Sequence, residues 1–199
     1  MSTKDPLFFY HDLLNLSHDT SMASIGFVSA DDLRLLRTIK TEFNTVGWPP
    51  VIEEKDVEIA KKYAFNNEAC IEQDDFVKFC SISEDDDKET FKKVISNYFD
   101  LKEHVEEPYF DLVGFSAYFA HLHDDSGSAE WRAQVNFILD NEAEHRILSI
   151  DSKGNHHIVT PKSGEIIFLD VYCKHAIIPN QKLGYETMRN KPMVSLFAS

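Results

Sequence analysis

The spacing of apolar residues changes near Pro108, and this change constrains the fold more than any other feature of the chain. Before Pro108, apolar residues recur every three or four positions, which is the period of an amphipathic helix. After it, short β-branched and aromatic runs alternate with turn residues, as in antiparallel strands. We therefore predict an α+β chain with a mainly β core. Residues 109–199 form this core, and residues 1–108 form a mostly helical support region.

Two helices are predicted in the support region. The first begins at Ser29, with Asp32 three residues later as in a capping box, and its apolar spacing continues through Phe43. The second extends from Asp85 to about Glu107. It begins in an acidic run that we interpret as a charged helix start.

Seven short strands are predicted in the core, separated by turn signals rich in Gly, Pro, Asn and Asp. They span residues 111–123, 131–139, 146–150, 156–159, 165–171, 175–178 and 193–197. Seven strands in about ninety residues predict an antiparallel sandwich or barrel.

Length and charge restrict the classes of function. A chain of 199 residues fits a single domain, 1–199. Its 34 acidic and 20 basic residues give a net charge of −14. Nucleic acid and anionic membrane surfaces require clustered Lys and Arg, so we expect neither as a partner. Without a run of about 18 apolar residues, and with three cysteines that lack disulfide or zinc spacing, the chain is expected to be soluble and cytoplasmic.

Histidines at the ends of two predicted strands carry the candidate chemistry. His123 and Asp125 end the first core strand, and alternation places both on one face. His175 follows the apolar strand 165–171. Two imidazoles and one carboxylate on one face of a divalent ion leave adjacent coordination positions open, which suits iron(II). We predict that these three residues bind iron(II) and form the catalytic centre. A His-x-His site formed by His121 and His123 stays open as an alternative.

Three segments carry a resemblance to a known family. They are 123–125, the stretch 161–170 that leads to His175, and the tail 189–197; the segment 26–33 adds a strand-then-helix entry. Together they resemble the 2-oxoglutarate and iron(II)-dependent dioxygenases, of a small bacterial, prolyl-hydroxylase-like type. The resemblance implies a double-stranded β-helix, a jelly-roll or cupin-like barrel with flanking amino-terminal helices. It also implies a hydroxylase that uses iron(II), 2-oxoglutarate and dioxygen on a small molecule or a peptidyl residue.

In that family a basic residue after the second histidine binds the oxoacid, and this chain offers two. Arg189 has the better chemistry, since a guanidinium pairs with a carboxylate through two parallel bonds. Lys191 has the register expected by family analogy, six residues before Phe197. Both stay candidates. Tyr118 and Asn136, on strands that flank the predicted pocket, are further candidates for contact with 2-oxoglutarate or substrate.

A cupin, either a metal-binding module or a metalloenzyme without an oxoacid, is the main alternative. His121, His123 and the turn 161–164 before His175 imitate the two cupin boxes. A cupin also requires Glu three or four residues after its second His, whereas the first Glu after His123 is Glu130. A third interpretation is a barrel that serves as an interaction domain without metal.

The other histidines near turns are predicted to be exposed: His145, His156 and His157.

Overall fold

The chain combines helices with two antiparallel sheets and a small two-stranded parallel sheet. A computed structural model describes residues 8–9, 16, 20–46, 54–63, 77–82, 84–100, 109–112, 122–124, 133–142, 144–178 and 193–198. The described helices are α1 (Ala30–Thr38), α2 (Glu54–Tyr63) and α3 (Asp85–Ile95). The described strands are β1 (Phe8–Phe9), β2 (Met22–Phe27), β3 (Thr41–Val46), β4 (Val77–Ile82), β5 (Phe99–Asp100), β6 (Tyr109–Leu112), β7 (Ala133–Ile138), β8 (Arg146–Ile150), β9 (His156–Val159), β10 (Glu165–Leu169), β11 (Lys174–Ile178) and β12 (Met193–Ala198).

Helix α1 begins where the sequence predicts and ends earlier. The Ser29 hydroxyl oxygen accepts the Asp32 backbone N–H at 3.2 Å, which caps the helix. The predicted continuation through Phe43 is wrong, because Thr41–Val46 forms β3 and pairs with β4 over six residues. Backbone bonds to a distant strand outweigh the helical spacing of the apolar residues there.

The second predicted helix also ends early. The acidic run does start α3, with Asp85, Asp86 and Asp87 in its first turn. The helix stops at Ile95 instead of Glu107, and Phe99–Asp100 forms β5, which pairs with β1. Strands β2, β3 and β4 also belong to this part of the chain, so the described residues of 1–108 contribute strands as well as helices.

Seven strands form one sheet, called the large sheet, in the order β2-β10-β7-β12-β6-β4-β3, and all its neighbouring pairs are antiparallel. Strands β11, β8 and β9 form the small sheet, also antiparallel. The strands predicted at 146–150 and 156–159 are confirmed. Those predicted at 165–171, 175–178 and 193–197 agree within two residues.

The two sheets pack face to face through an apolar inter-sheet cluster. It consists of Met22, Ile138, Ile147, Ile167 and Leu169, with Val159 and Ile177 packed against it. On the other face of the large sheet, an outer cluster joins β2, β7 and β10 to α1 and α3. It consists mainly of Leu36, Phe91, Val94, Phe99, Val135, Phe137, Ile166 and Phe168. All six residues of β7 are buried because both faces of this strand are covered. The loose alternation predicted for 131–139 is therefore not visible as alternating exposure.

A back cluster covers the other face of the small sheet. It consists of Leu122, Leu148, Ala176 and Ile178, against which Ile59 and Tyr63 of α2 and Ile150 are packed. The three helices and the two larger sheets thus form four layers, which are α1 with α3, the large sheet, the small sheet and α2. The space between the two sheets therefore lies in the interior, with helices covering the outer face of each sheet.

The turn before β10 ties the large sheet to α1. Gly164 has φ +87°, a conformation that side chains with a Cβ rarely adopt. Its N–H donates to the Ile138 carbonyl at 2.7 Å, and its carbonyl accepts from the Val28 N–H at 2.8 Å. The turn predicted between the strands 156–159 and 165–171 is confirmed.

Candidate metal centre

His123 and His175 lie directly opposite each other on neighbouring chain segments. Each backbone exchanges bonds with the other: the His123 N–H donates to the His175 carbonyl at 3.0 Å, and the reverse bond is 2.7 Å. Residues paired in this way present their side chains on the same face. The two imidazole ring centres are 4.6 Å apart, with the planes tilted by 53°. The structure therefore brings together two of the three predicted metal ligands.

Both imidazoles belong to the inter-sheet side of the small sheet. Leu122 and Ala176, their immediate neighbours, are part of the back cluster on the opposite face. Since side chains alternate along a strand, His123 and His175 point away from that cluster. Ser149 of β8 is paired with His175 on its other side and is fully buried. The histidines thus face the space enclosed by the two sheets.

The imidazole of His175 has a defined orientation. Its Nδ1 lies 3.0 Å from the Cys173 carbonyl oxygen, and the residue is only 5% exposed. A carbonyl oxygen only accepts, so this bond places the ring proton on Nδ1 and leaves the lone pair on Nε2. A backbone bond of this kind orients metal-binding histidines in proteins. His175 therefore fits a metal ligand that binds through Nε2.

Cys173 contributes its carbonyl group rather than its sulfur. Burial and the nearby negative charge of Asp170 raise the pKa of the Cys173 thiol to about 12. The Cys173 Sγ also lies 3.4 Å from the Asp170 carboxylate, to which it donates. The thiol is therefore protonated at neutral pH and is a poor metal ligand, since the thiolate is the form that binds metal.

Two amide side chains lie on the opposing wall, on β7. Asn136 and Gln134 alternate with Val135 and Phe137, which belong to the outer cluster, so their side chains are on the inter-sheet side. Asn136 is fully buried, and its Nδ2 lies 3.5 Å from the Ile167 carbonyl oxygen. Gln134 is 5% exposed, and its Oε1 has no hydrogen-bond partner among the described residues.

Of the buried polar residues on the inter-sheet side, the sequence predicted Asn136 as a candidate and did not predict Gln134 or Ser149. The sequence does contain a signal for Gln134, because polar residues occupy positions 134 and 136 while apolar residues occupy 133, 135 and 137. That pattern in a strand indicates a polar inner face. Ser149 stands between Leu148 and Ile150 with no comparable signal, and only its pairing with His175 brings it to the site.

Several predicted site residues lie outside the described residues, so their positions stay predictions. They are Asp125, Tyr118, Arg189, Lys191 and the alternative ligand His121. Within the described ranges, no group of three or more His, Cys, Asp or Glu side chains is arranged to hold a metal ion. A site there requires a ligand beyond the histidine pair, and Asp125 is the predicted one.

The prediction that three other histidines are exposed is partly wrong. His145 is buried, because Asn141 bonds both its backbone N–H and its carbonyl at 2.9 Å and closes the turn over it. Burial lowers the pKa of His145. His156 is half-buried and lies 2.8 Å from the Tyr63 hydroxyl. His157 is exposed, as predicted, and pairs with Asp151.

No helix in the described part of the chain combines the length and the apolar character that crossing a membrane requires.

Comparison with known proteins returned no matching family model and no matching curated protein. Among solved structures, a Pseudomonas putida prolyl-4-hydroxylase is similar at 10% identity and a TM-score of 0.42, covering 94% of this chain and 97% of that chain. An oxidoreductase of the 2OG-Fe(II) oxygenase family from Burkholderia pseudomallei is similar at 11% identity and a TM-score of 0.35, covering 85% and 90%. These similar structures are 2OG-Fe(II) oxygenase family proteins, and a likeness of this size assigns no activity to the chain.

Proposed function

We propose that the chain is an iron(II)- and 2-oxoglutarate-dependent oxygenase that hydroxylates a small molecule or a peptidyl residue. Its ligands for iron(II) are His123, Asp125 and His175. The observation that carries the proposal is the histidine pair: two imidazoles from segments about fifty residues apart face one enclosed space. One of them presents the Nε2 lone pair through a backbone bond to the Cys173 carbonyl.

We propose further that the core is a double-stranded β-helix. From β6 onward, the described chain passes repeatedly between the two sheets. Strands β6, β7, β10 and β12 lie in the large sheet, whereas β8, β9 and β11 lie in the small sheet, with residues 122–124 beside β11. A chain that passes between two facing sheets in this way winds around the space between them, as in a jelly roll. This order supports the proposal.

The inter-sheet space suits chemistry that must exclude water. Its apolar part includes Ile138, Ile147 and Ile167, all 2% exposed or less. Iron(II) and 2-oxoglutarate, when bound, supply the activation of dioxygen that hydroxylation of a C–H bond needs. The protein contributes positioning: the Cys173 carbonyl orients His175, and the amides of Gln134 and Asn136 offer hydrogen bonds on the opposing wall.

A titration of iron(II) under anaerobic conditions tests the metal centre. Replacing His175 by Ala is expected to weaken binding by more than about 100-fold, since loss of a ligand exceeds the 10- to 100-fold effect of changing an outer partner. His157→Ala is the matched control, because His157 is also in the small sheet but is exposed and paired with Asp151. Equal binding by wild type and His175→Ala would contradict the proposal.

The same titration separates the two ligand sets. If Asp125 is a ligand, Asp125→Ala should lose affinity and His121→Ala should retain it. The reverse result favours the His-x-His site, and with it the cupin alternative.

The oxoacid is proposed to bind Arg189 or Lys191, with Tyr118 and Asn136 as further contacts. A charge-assisted pair in an enclosed site is worth about 2–4 kcal/mol, or about 30- to 1000-fold in the 2-oxoglutarate requirement. Succinate formation against 2-oxoglutarate concentration, at saturating iron(II), is the measurement. Arg189→Ala and Lys191→Ala serve as each other's control, because only the variant that removes the oxoacid ligand should require more 2-oxoglutarate. A wild-type protein that forms no succinate under any of these conditions would contradict the oxygenase activity.

A further inference from the structure

Helix α2 packs on the back of the small sheet, directly behind the histidine pair. Ile59 and Tyr63 of this helix pack against the back cluster. That cluster contains Leu122, which precedes His123, and Ala176, which follows His175. One helix therefore supports the chain on both sides of the pair.

An ion pair joins the first turn of α2 to the start of β11. The Lys174 ammonium lies 2.8 Å from the Asp56 carboxylate, whose side chain is 8% exposed. A carboxylate removed from water in this way depends on its partner, and loss of the partner leaves a buried charge uncompensated. Lys174 immediately precedes His175 in the chain. The ion pair thus holds the residue next to a proposed metal ligand.

The other end of α2 is held by two polar contacts. The Tyr63 hydroxyl lies 2.8 Å from His156 Nδ1 on β9, and Arg146 Nη1 on β8 donates to the Tyr63 carbonyl at 3.1 Å. With Asp56 bound to Lys174 near its start, the helix is attached to all three strands of the small sheet. These contacts fix the position of the helix along the strands.

We propose that Asp56 and Lys174 are positioning residues for the metal centre, and that their ion pair sets the position of β11 and hence the geometry of His175 opposite His123. The inference rests on the proposed function, since it concerns the same site. It assigns to α2 a role in metal binding, although the helix contributes no ligand.

Cobalt(II) is a suitable probe, because its visible absorption reports coordination geometry independently of activity. Asp56→Asn removes the charge with little change in size, and it is expected to weaken cobalt(II) binding by about 10-fold and to change the spectrum, as outer partners of metal ligands do. Lys174→Arg keeps the charge and should retain most of the cobalt(II) affinity, whereas Lys174→Met should lose it. Near-ultraviolet circular dichroism confirms that each variant is folded before titration.

The matched control is Asp85→Asn. Asp85 also lies in the first turn of a helix, α3, and pairs with a lysine, Lys88, at 3.0 Å. Its substitution causes a similar loss of helix-dipole stabilisation at a distance from the small sheet. Cobalt(II) affinity and spectrum should remain within about two-fold of wild type in this variant.

The outcomes separate this inference from the proposed function. If Asp56→Asn loses stability but keeps the wild-type affinity and spectrum, the ion pair is merely structural and the inference is wrong. Should Asp56→Asn not fold, the double variant Asp56→Asn with Lys174→Met, which leaves neither charge unpaired, takes its place under the same expectations. A wild-type protein that binds no cobalt(II) and no iron(II) would overturn the proposed metal centre, and this inference with it.

Discussion

The two faces of the large sheet border two different interiors. On the face covered by α1 and α3, the outer cluster of buried residues is apolar, including Phe91, Phe99, Phe137 and Phe168. On the face turned toward the small sheet, apolar residues share the interior with the buried polar side chains of Gln134, Asn136, Ser149 and His175. The same strand, β7, supplies residues to both.

The two interiors should contribute differently to stability. Buried polar groups cost free energy unless each finds a partner, and Gln134 Oε1 has none among the described residues. The outer interior contains apolar side chains in close contact, which stabilise the fold. Under the proposed function, the polar inter-sheet interior serves binding, at a cost in stability that the outer interior offsets.

The largest expected effect is in the outer interior. Phe137 is fully buried and meets Phe99 edge to face, with ring centres 5.9 Å apart. Phe137→Ala should lower the free energy of unfolding by about 3–5 kcal/mol, through lost burial and a cavity. Urea denaturation measures this. Because Phe137 lies on the face of the large sheet away from His123 and His175, cobalt(II) affinity should be unchanged in the protein that remains folded. A loss of affinity would show that the two interiors are coupled.

A smaller effect is expected where α1 meets the end of α3. The Tyr98 hydroxyl donates to the Asp32 carboxylate and accepts from the Ser29 N–H at 2.8 Å. Burial and the bond to Asp32 raise the pKa of Tyr98, so the hydroxyl stays protonated and keeps this donor role at neutral pH. Tyr98→Phe should cost about 1–3 kcal/mol of unfolding free energy, since one bond is to a charged group. A cost below about 0.5 kcal/mol would show that this network contributes little.

The inter-sheet interior should respond in the opposite direction. Gln134→Met keeps the size of the side chain and removes the carbonyl oxygen that lacks a described partner. We expect the free energy of unfolding to rise by about 1 kcal/mol. Asn136→Leu is the contrast, because Asn136 has a bond at 3.5 Å to lose and should gain less. A decrease in the free energy of unfolding of Gln134→Met would show that burying this polar side chain does not reduce stability.

The smallest expected effect is a pH dependence from His145. Its folded-state pKa is lowered by burial, so below about pH 6.5 the unfolded state binds more protons. The stability associated with neutral His145 is therefore fully present above pH 6.5 and declines as the pH falls toward the lower folded-state pKa. Urea denaturation of wild type and His145→Gln between pH 5 and pH 8 measures the difference. Parallel pH profiles for the two proteins would exclude this contribution.

Local signals in the sequence predicted several features correctly. Ser29 caps α1, the acidic run starts α3, and the strands at 146–150 and 156–159 have the predicted bounds. The cap and the helix start depend on interactions within a few residues, and the two strands pair with each other across a short turn. His123 and His175 were expected to lie together from their places at strand ends, and the structure sets them side by side.

The failures share a different cause. Phe43 has the spacing of a helix but belongs to β3, because pairing with β4 supplies six residues with sheet bonds. His145 was expected to be exposed and is enclosed through Asn141, whose amide also bonds the Pro161 carbonyl at 2.6 Å. Neither partner is visible from the residues that flank these positions.

By itself, the sequence determined the cap of α1, the acidic start of α3 and the turns, because capping and turn geometry act over a few neighbouring residues. The tertiary structure alone decided which strands pair, that β7 is buried on both faces, that Ser149 is paired with His175 while Gln134 is on the inter-sheet side, and that α2 lies behind the histidines. These depend on contacts between segments far apart in the chain, and the free energy that selects them comes from burying apolar faces that each segment cannot bury alone.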